Sequence, residues 1–132
     1  MGLIYLDSCV LIYAIEDLPP WTGLARAALA SQSHVEFMIT PLVMAECLVG
    51  PLKREDPVLV AQYHRFFAEL NVVPISEAAY LSAAAIRARH GLKLQDALHL
   101  ACAEEAGCDA LWTNDNRLSA AGSIAVALIG VN

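Results

Sequence analysis

Short apolar runs alternate with longer helical patterns along the chain. Residues 3–6, 35–39, 72–75, 109–113 and 124–131 form runs of strand length, bounded by polar or turn-forming residues. This alternation is typical of βαβ units, in which helices cross over between parallel strands. The sequence therefore predicts an α/β fold in which a parallel sheet of about five strands carries helices on both faces.

Helix-forming segments fill the intervals between these runs. The predicted helices cover residues 9–15, 21–31, 41–49, a segment that opens at 56–57, 77–90, 94–106 and the short 114–121. Thr40-Pro41 is a favourable helix start, because it offers a polar N-cap and a proline at the first helical position. Gly50-Pro51 is expected to end the same helix.

The composition indicates one globular domain. Of the 132 residues, 58% are hydrophobic and 17% are charged, which excludes a disordered chain, and we expect a single domain over residues 1–132. The apolar runs are far shorter than the roughly 20 residues that cross a bilayer, and the N-terminus lacks the basic segment of a signal peptide. We therefore expect a cytoplasmic protein that does not bind membranes. The four cysteines lack a C-x-x-C pair and are expected to be reduced.

Two acidic residues stand where predicted strands end. Asp7 follows the first apolar run directly, and Asp115 lies just past the run at 109–113. Ligands of an open α/β sheet gather outside the carboxyl ends of its strands, so both carboxylates are expected to point into one crevice. Each acid could instead cap the helix that follows it.

Two further acids lie on helices that are largely apolar. Glu46 stands about two turns into the helix after the second strand, and Asp96 stands near the start of the helix over residues 94–106. Charged side chains are rarely buried unless they are paired or bind a metal. Glu46 could also lie on a solvated stripe or pair with an arginine, and Asp96 could simply favour the helix N-terminus.

Four converging carboxylates imply a bound cation. They would repel one another in a low-dielectric cleft, and a divalent ion relieves that repulsion. Oxygen ligands favour a hard ion, so Mg²⁺ or Mn²⁺ is expected. Such a site commonly activates water and stabilises the charge that develops on a phosphodiester, so we expect hydrolysis of a nucleic acid.

Four motifs occur in order along nearly the whole chain. They are Leu6-Asp7-Ser8 at the end of the first strand, Glu46 on the helix after the second strand, Leu94-x-Asp96-Ala97-x-His99-Leu100-Ala101-x-Ala103, and Leu111-Trp112-Thr113-Asn114-Asp115. Together they resemble the PIN domain, in particular the VapC-like toxin ribonucleases of toxin–antitoxin pairs. No single motif is specific, and the resemblance rests on their joint occurrence in this order.

The resemblance implies a three-layer α/β/α fold and an endoribonuclease that depends on Mg²⁺ or Mn²⁺. Carried over by position, the metal-binding acids are Asp7, Glu46, Asp96 and Asp115. The supporting residues are the hydroxyl side chains Ser8 and Thr113, with Asn114 beside them as a donor to a metal-bound water or to phosphate. The resemblance further implies an RNA substrate, a homodimer and a cognate antitoxin.

The charge of the chain limits how it can attract RNA. A formal net charge of −6 argues against strong non-specific binding of nucleic acid. A local basic rim can still attract a polyanion, because charges act within a Debye length of about 8–10 Å. Lys93 and Arg117 flank the acids most closely, and we predict that they contact phosphate.

Several features allow more than one interpretation. His99, one turn beyond Asp96, is either a general acid or base or a hydrogen-bonded core histidine. The same fold could also serve as a catalytically silent binding module whose acids bind a partner's arginines. A receiver-like phosphatase would need a lysine after the last strands, and none stands there. Tyr63, Phe66 and Phe67 could form a dimer face, since so apolar a chain favours a buried partner surface.

Overall fold

A computed structural model describes residues 2–122 and 124–129 of the protein. One sheet contains β1 (Gly2–Leu6), β2 (Val35–Ile39), β3 (Asn71–Val72), β4 (Ala110–Thr113) and β5 (Ala125–Leu128). Each neighbouring pair runs parallel, and the strand order is β3-β2-β1-β4-β5. Helices cover both faces, so the predicted three-layer α/β/α fold is confirmed.

Six α-helices and one 3₁₀ helix connect the strands in the described part of the chain. They are α1 (Ser8–Ile15), α2 (Trp21–Ala30), α3 (Pro41–Lys53), α4 (Pro57–Phe67), α5 (Glu77–His90), α6 (Leu94–Glu105) and the 3₁₀ helix Asn116–Ala120. Local capping explains the bounds of α5. The hydroxyl of Ser76 accepts a hydrogen bond from the backbone N–H of Ala79, and Gly91 ends the helix with a φ of 71° that favours glycine.

Helix α3 extends past the residue at which the sequence predicts its end. The prediction that Gly50-Pro51 stops this helix near Val49 is wrong, because the helix continues to Lys53. A proline removes only its own N–H, and the next turn is closed by the N–H of Arg54, which donates to the carbonyl of Gly50 at 3.0 Å. Burial of the Pro51 ring in the core offsets the local cost of the missing hydrogen bond.

The later strands are shorter than predicted. The run at 72–75 pairs with β2 only over Asn71–Val72, and the last ladder bond runs from the N–H of Val73 to the carbonyl of Ile39 at 2.9 Å. Pro74 has no N–H, so the ladder ends before it. The run at 124–131 forms β5, and residues 130 and 131 lie outside the described residues.

The core contains two of the aromatic residues that the sequence offers as a possible dimer face on α4. Tyr63 and Phe67 on α4 are 0% and 4% exposed, so an aromatic dimer face on α4 is wrong. Their rings pack against each other, and the Tyr63 hydroxyl donates to Oε2 of Glu16 at 2.6 Å. These side chains fasten α4 to the end of α1 and are therefore unavailable to a partner.

The state of the four cysteines agrees with the expectation from the sequence. All four cysteines are free, and three of them are buried. Burial raises the pKa of Cys102 and of Cys108 to about 11, which makes both thiols poor nucleophiles. Among the described residues, no helix is long and apolar enough to cross a membrane.

The strand order opens a crevice at one edge of the sheet. The chain builds outward from β1 in both directions, and ligands of such sheets bind where the order reverses, beyond the carboxyl ends of the strands. The backbone N–H of Asp7 donates to the carbonyl of Trp112 at 3.0 Å. This bond holds the ends of β1 and β4 side by side, so the residues that follow the two strands face the same crevice.

Candidate metal centre

Asp7 stands at the end of β1 with both carboxylate oxygens held by neighbours. It is the N-cap of α1, and its Oδ1 accepts a hydrogen bond from the backbone N–H of Ser8 at 2.7 Å. Its Oδ2 accepts a hydrogen bond from the hydroxyl of Thr113, on the adjacent strand β4, at 2.7 Å. The side chain is only 12% exposed. Helix capping and a place in the crevice therefore occur together and are not alternatives for this residue.

Glu46 on α3 and His99 on α6 complete the inner part of the site, in which His99 and Asp7 are buried and Glu46 is partly exposed. Nε2 of His99 lies 2.7 Å from Oε1 of Glu46 and 3.6 Å from Oδ1 of Asp7. Nδ1 of the same ring lies 2.7 Å from the hydroxyl of Tyr5, which in turn lies 2.9 Å from Oγ1 of Thr40. His99 is fully buried. It is thus a hydrogen-bonded core histidine, and it also links two of the predicted acids.

Asp96 and Asp115 form the outer part of the site together with the exposed side chain of Arg117. Asp115 is the N-cap of the 3₁₀ helix, and its Oδ1 accepts a hydrogen bond from the backbone N–H of Arg117 at 3.0 Å. The guanidinium of Arg117 donates to the two oxygens of Asp115 from Nε, at 3.0 and 3.1 Å, and from Nη2, at 2.5 Å. Nη2 also lies 3.8 Å from Oδ2 of Asp96, so one exposed side chain spans both acids.

The pKa values of the two outer acids are displaced in opposite directions. Burial and then the charges of Asp7 and Asp115 raise the pKa of Asp96 above its usual range. The hydrogen bond from Arg117 lowers the pKa of Asp115 despite some burial, and the nearby charge of Lys93 adds to this effect. For Asp96, burial and repulsion from the other acids therefore outweigh the positive charge of Arg117.

The structure brings the four predicted acids together through three bridging side chains. The bridges are His99 between Asp7 and Glu46, Arg117 between Asp96 and Asp115, and Thr113 between Asp7 and Asp115. In the last of these, the hydroxyl of Thr113 accepts the backbone N–H of Asp115 at 3.2 Å. The acids come from four separate segments of the chain, which supports the expectation of one shared crevice. Their role as metal ligands stays a prediction.

The predicted supporting residues differ in how closely they contact the acids. Thr113 is buried and holds Asp7 directly, whereas the hydroxyl of Ser8 lies 3.5 Å from Oδ1 of Asp7. Asn114 is engaged elsewhere, because its Nδ2 donates to the hydroxyl of Tyr13 at 2.6 Å. Thr113 is thus the supporting residue with the clearest structural role.

Two partners of the site, Tyr5 and Thr40, were not expected from the sequence. Tyr5 lies inside the apolar run of β1, and Thr40 has the position and chemistry of a helix N-cap. Its hydroxyl makes no capping bond and contacts Tyr5 instead. The available signal was positional: Thr40 directly follows β2, just as Asp7 directly follows β1. Using that signal requires knowing that β1 and β2 are neighbours in the sheet.

The donor set of the site suits a divalent cation. One ligand atom from each of Asp7, Glu46 and His99 lies within 4.8 Å of the others. Carboxylate oxygens predominate once Asp96 and Asp115 are included, which favours a hard ion. The side chains of Glu46, Asp96 and Asp115 are between 19% and 29% exposed, so the crevice is open to solvent. The residues present therefore fit a divalent metal ion.

The family comparison agrees with this arrangement. The family model described as "PIN domain" matches residues 4–123, which is most of the chain. The chain belongs to the PIN domain family. Proteins of the PIN family are nucleases, so the membership supports a hydrolase that acts on nucleic acid. PIN nucleases generally use a divalent metal. No curated protein sequence matches the chain significantly.

Solved structures with the same fold include several toxin–antitoxin proteins. VapBC2 of Rickettsia felis, bound to a DNA fragment from its promoter, matches with a TM-score of 0.78 and 17% identity over 96% of this chain and 98% of that chain. A toxin–antitoxin complex from Klebsiella pneumoniae matches with a TM-score of 0.76 and 24% identity over 96% of each chain. VapC20 of Mycobacterium tuberculosis, described as a sarcin-ricin loop cleaving toxin, matches with a TM-score of 0.78 and 18% identity over 90% of this chain and 95% of that chain. At these identities the likeness establishes the fold.

Proposed function

We propose that this PIN-domain protein is a metal-dependent endoribonuclease and the toxin of a toxin–antitoxin pair. In this proposal Mg²⁺ or Mn²⁺ is held by Asp7, Glu46, Asp96 and Asp115. The observation that carries it is the convergence of these acids at the carboxyl ends of β1 and β4, where bridging side chains join them. Membership of the PIN family and the toxin–antitoxin structures with the same fold support it.

The chain's own groups prepare the site for a cation. When bound, the ion would activate water and stabilise the charge that develops on the phosphodiester. Asp7 keeps a fixed orientation because Ser8 and Thr113 each donate to one of its oxygens. A cation would relieve the repulsion from Asp7 and Asp115 that, together with burial, raises the pKa of Asp96.

Lys93 and Arg117 are the proposed phosphate contacts. Both are exposed, and each lies close enough to Asp115 to lower the pKa of that carboxyl. A guanidinium binds phosphate oxygens in the same bidentate geometry that Arg117 uses on Asp115. A cation that takes over the carboxylates would leave Arg117 available to RNA.

We further propose a homodimer and a cognate antitoxin as partners, and the cytoplasm as the location. Large apolar side chains are exposed on three helices, at Val49 and Leu52 of α3, Val58 of α4, and Tyr80 and Leu81 of α5. These side chains supply apolar area that a partner could cover. Sedimentation of the purified chain as a dimer at micromolar concentration is the expected result, and a monomer would contradict the homodimer.

Titration of Mn²⁺ tests the metal site, and an RNA assay tests the activity. Isothermal titration should show binding to the wild type, purified free of any antitoxin, and a large loss of affinity in Asp96→Asn. Cleavage of structured RNAs should require Mn²⁺ or Mg²⁺ and stop with EDTA. A folded wild-type protein that binds Mn²⁺ but cleaves no RNA would contradict the nuclease, and unchanged cleavage by Asp96→Asn would contradict the assigned acids.

A second candidate is a silent PIN-like module whose acidic cleft binds a basic partner. The contact of Arg117 with both outer acids favours it, because a guanidinium already lies between them. This candidate predicts a stable complex with an arginine-rich peptide and no metal-dependent turnover of any RNA. Competition between that peptide and Mn²⁺, in a protein that does cleave RNA, would instead favour the nuclease.

A further inference from the structure

The imidazole of His99 lies in a place that the proposed reaction does not explain. The ring is fully buried at the inner wall of the site, and Nε2 contacts Glu46 at 2.7 Å and approaches Asp7 at 3.6 Å. A side chain without exposure cannot reach a substrate directly. Among the described residues, its polar contacts are with Tyr5, Glu46 and Asp7.

The chemistry of its neighbours fixes which ring nitrogen carries a hydrogen. An ionised carboxylate only accepts hydrogen bonds, so the 2.7 Å contact with Glu46 requires a hydrogen on Nε2. Nδ1 faces the hydroxyl of Tyr5, which either donates to or accepts from the ring. That hydroxyl is itself within 2.9 Å of Thr40, so it has a second partner in both arrangements. The ring therefore presents an N–H to the carboxylates whether it is neutral or charged.

We propose that His99 is a positioning residue that holds Glu46 next to Asp7 in the geometry that a cation requires, and that it is not itself a metal ligand. The proposal rests on the metal-dependent function proposed above. A nitrogen that carries a hydrogen has no free electron pair for a metal, so the same contact that positions Glu46 excludes coordination through Nε2. Tyr5 and Thr40 act one step further out, because they keep the ring oriented.

The physical reason for such a device is the repulsion between the inner acids. Glu46 and Asp7 both carry oxygens within 4.8 Å of one another and of the ring nitrogen, and two carboxylates at that spacing repel each other. An N–H that donates to Glu46 and lies 3.6 Å from Asp7 reduces this repulsion before a cation arrives. Without it, Glu46 is expected to turn toward solvent, since its side chain is partly exposed.

Mn²⁺ titration of three variants tests the proposal. His99→Leu removes the N–H and should weaken Mn²⁺ binding by about 10–100-fold, the usual effect of losing a group that orients a ligand. His99→Gln keeps a side-chain N–H that can reach Glu46 and should recover most of that affinity. Tyr5→Phe removes only the hydroxyl that orients the ring, and a smaller loss of a few-fold is expected.

Leu100→Val is the matched control, because Leu100 is fully buried on the same helix and has no polar group that could bond to the acids. It should lower the melting temperature without changing the Kd for Mn²⁺. Thermal melting followed by circular dichroism identifies any variant that does not fold. If His99→Leu does not fold, the comparison of Tyr5→Phe with Leu100→Val decides.

The outcomes separate this proposal from the proposed function. If the wild type binds Mn²⁺ and His99→Leu binds it with equal affinity, the positioning role is overturned and the proposed nuclease is unaffected. If His99→Leu does not fold, equal affinity in Tyr5→Phe has the same consequence. An equal loss in His99→Gln and His99→Leu overturns it in favour of His99 as a ligand. No Mn²⁺ binding by the folded wild type overturns both proposals. Loss in His99→Leu with recovery in His99→Gln supports the positioning role.

Discussion

The two halves of the acidic site are held in different ways. The inner half consists of Asp7 and Glu46 around His99, and its oxygens are oriented by buried neighbours. The outer half consists of Asp96 and Asp115 with Arg117, whose side chain is 59% exposed. The inner half is therefore held by buried side chains of the strands and α6, while the outer half is held by one exposed side chain and by the backbone N–H of Arg117.

This difference suggests how the halves share the work of binding a cation. Exposed ion pairs contribute little to stability, so the contact of Arg117 with the outer acids is easily exchanged. In the inner half, the bond from Thr113 to Asp7 and the contact of Tyr5 with His99 are buried and costly to break. We infer that the inner half gives the site its geometry, and that the outer half is neutralised by Arg117 until a cation replaces it.

The largest expected effects on Mn²⁺ binding come from removing one acid from each half of the site. Asp7→Asn should weaken Mn²⁺ binding by more than about 100-fold and abolish RNA cleavage, because it removes a charge that neighbouring donors already orient. Asp115→Asn should weaken binding by roughly tenfold, since Arg117 already offsets that charge. Titration calorimetry on both variants measures the difference. Equal losses would mean that the two halves contribute alike.

The fold could be predicted from the sequence except where a local signal was overridden by packing. Alternating apolar runs predicted the parallel sheet, and β2 is observed over the predicted residues. The end of α3 was not predictable, because Gly50-Pro51 has the composition of a helix stop and only the burial of Pro51 shows otherwise. The burial of the aromatic residues of α4 was not predictable for the same reason. Periodicity identifies an apolar face, but it does not show whether the chain itself covers that face.

The acids of the candidate site could be predicted, but their connections could not. Asp7 and Asp115 were identifiable because each follows a strand, and Glu46 because it interrupts an apolar helix. The role of His99 depends on Tyr5 and Thr40, whose contact depends on the neighbouring positions of β1 and β2. Such side-by-side placement is a property of strand order, which residue spacing does not reveal.

A smaller effect on Mn²⁺ binding is expected when the hydroxyl that holds Asp7 in the inner half is removed. Thr113→Val keeps the shape of the side chain but removes the donor to Asp7, so Mn²⁺ affinity should fall by about tenfold. Ser8→Ala is the matched control, because the Ser8 hydroxyl lies 3.5 Å from Asp7 while its backbone N–H makes the short bond. The Kd of Ser8→Ala should stay near the wild-type value. An equal loss in both variants would contradict the importance of the buried donor.

Arg117 should produce a modest effect of the opposite sign. Arg117→Gln removes the cation that competes for the outer acids, so Mn²⁺ should bind about two- to fivefold more tightly, the scale of a single exposed ion pair. The same change should weaken RNA binding and make it less dependent on salt. Arg65→Gln, an exposed change on α4, controls for the loss of one positive charge. Weaker Mn²⁺ binding in Arg117→Gln alone would show that this side chain supports the ion and does not compete with it.

The smallest effect concerns the stability of the metal-free protein. The pKa of Asp96 is raised in the fold, so its ionised form is less favourable there than in the unfolded chain, and this cost is fully present above the folded pKa. Asp96→Asn should therefore raise the melting temperature at pH 7 by about 2 °C in the presence of EDTA. The gain should disappear as the pH falls through the folded pKa toward the unfolded value, because wild-type Asp96 is then protonated. Asp115→Asn should instead lower the melting temperature at pH 7, since the pKa of Asp115 is lowered by Arg117. A lower melting temperature for Asp96→Asn at pH 7 would mean that the contact with Arg117 outweighs the cost of burying the ionised Asp96.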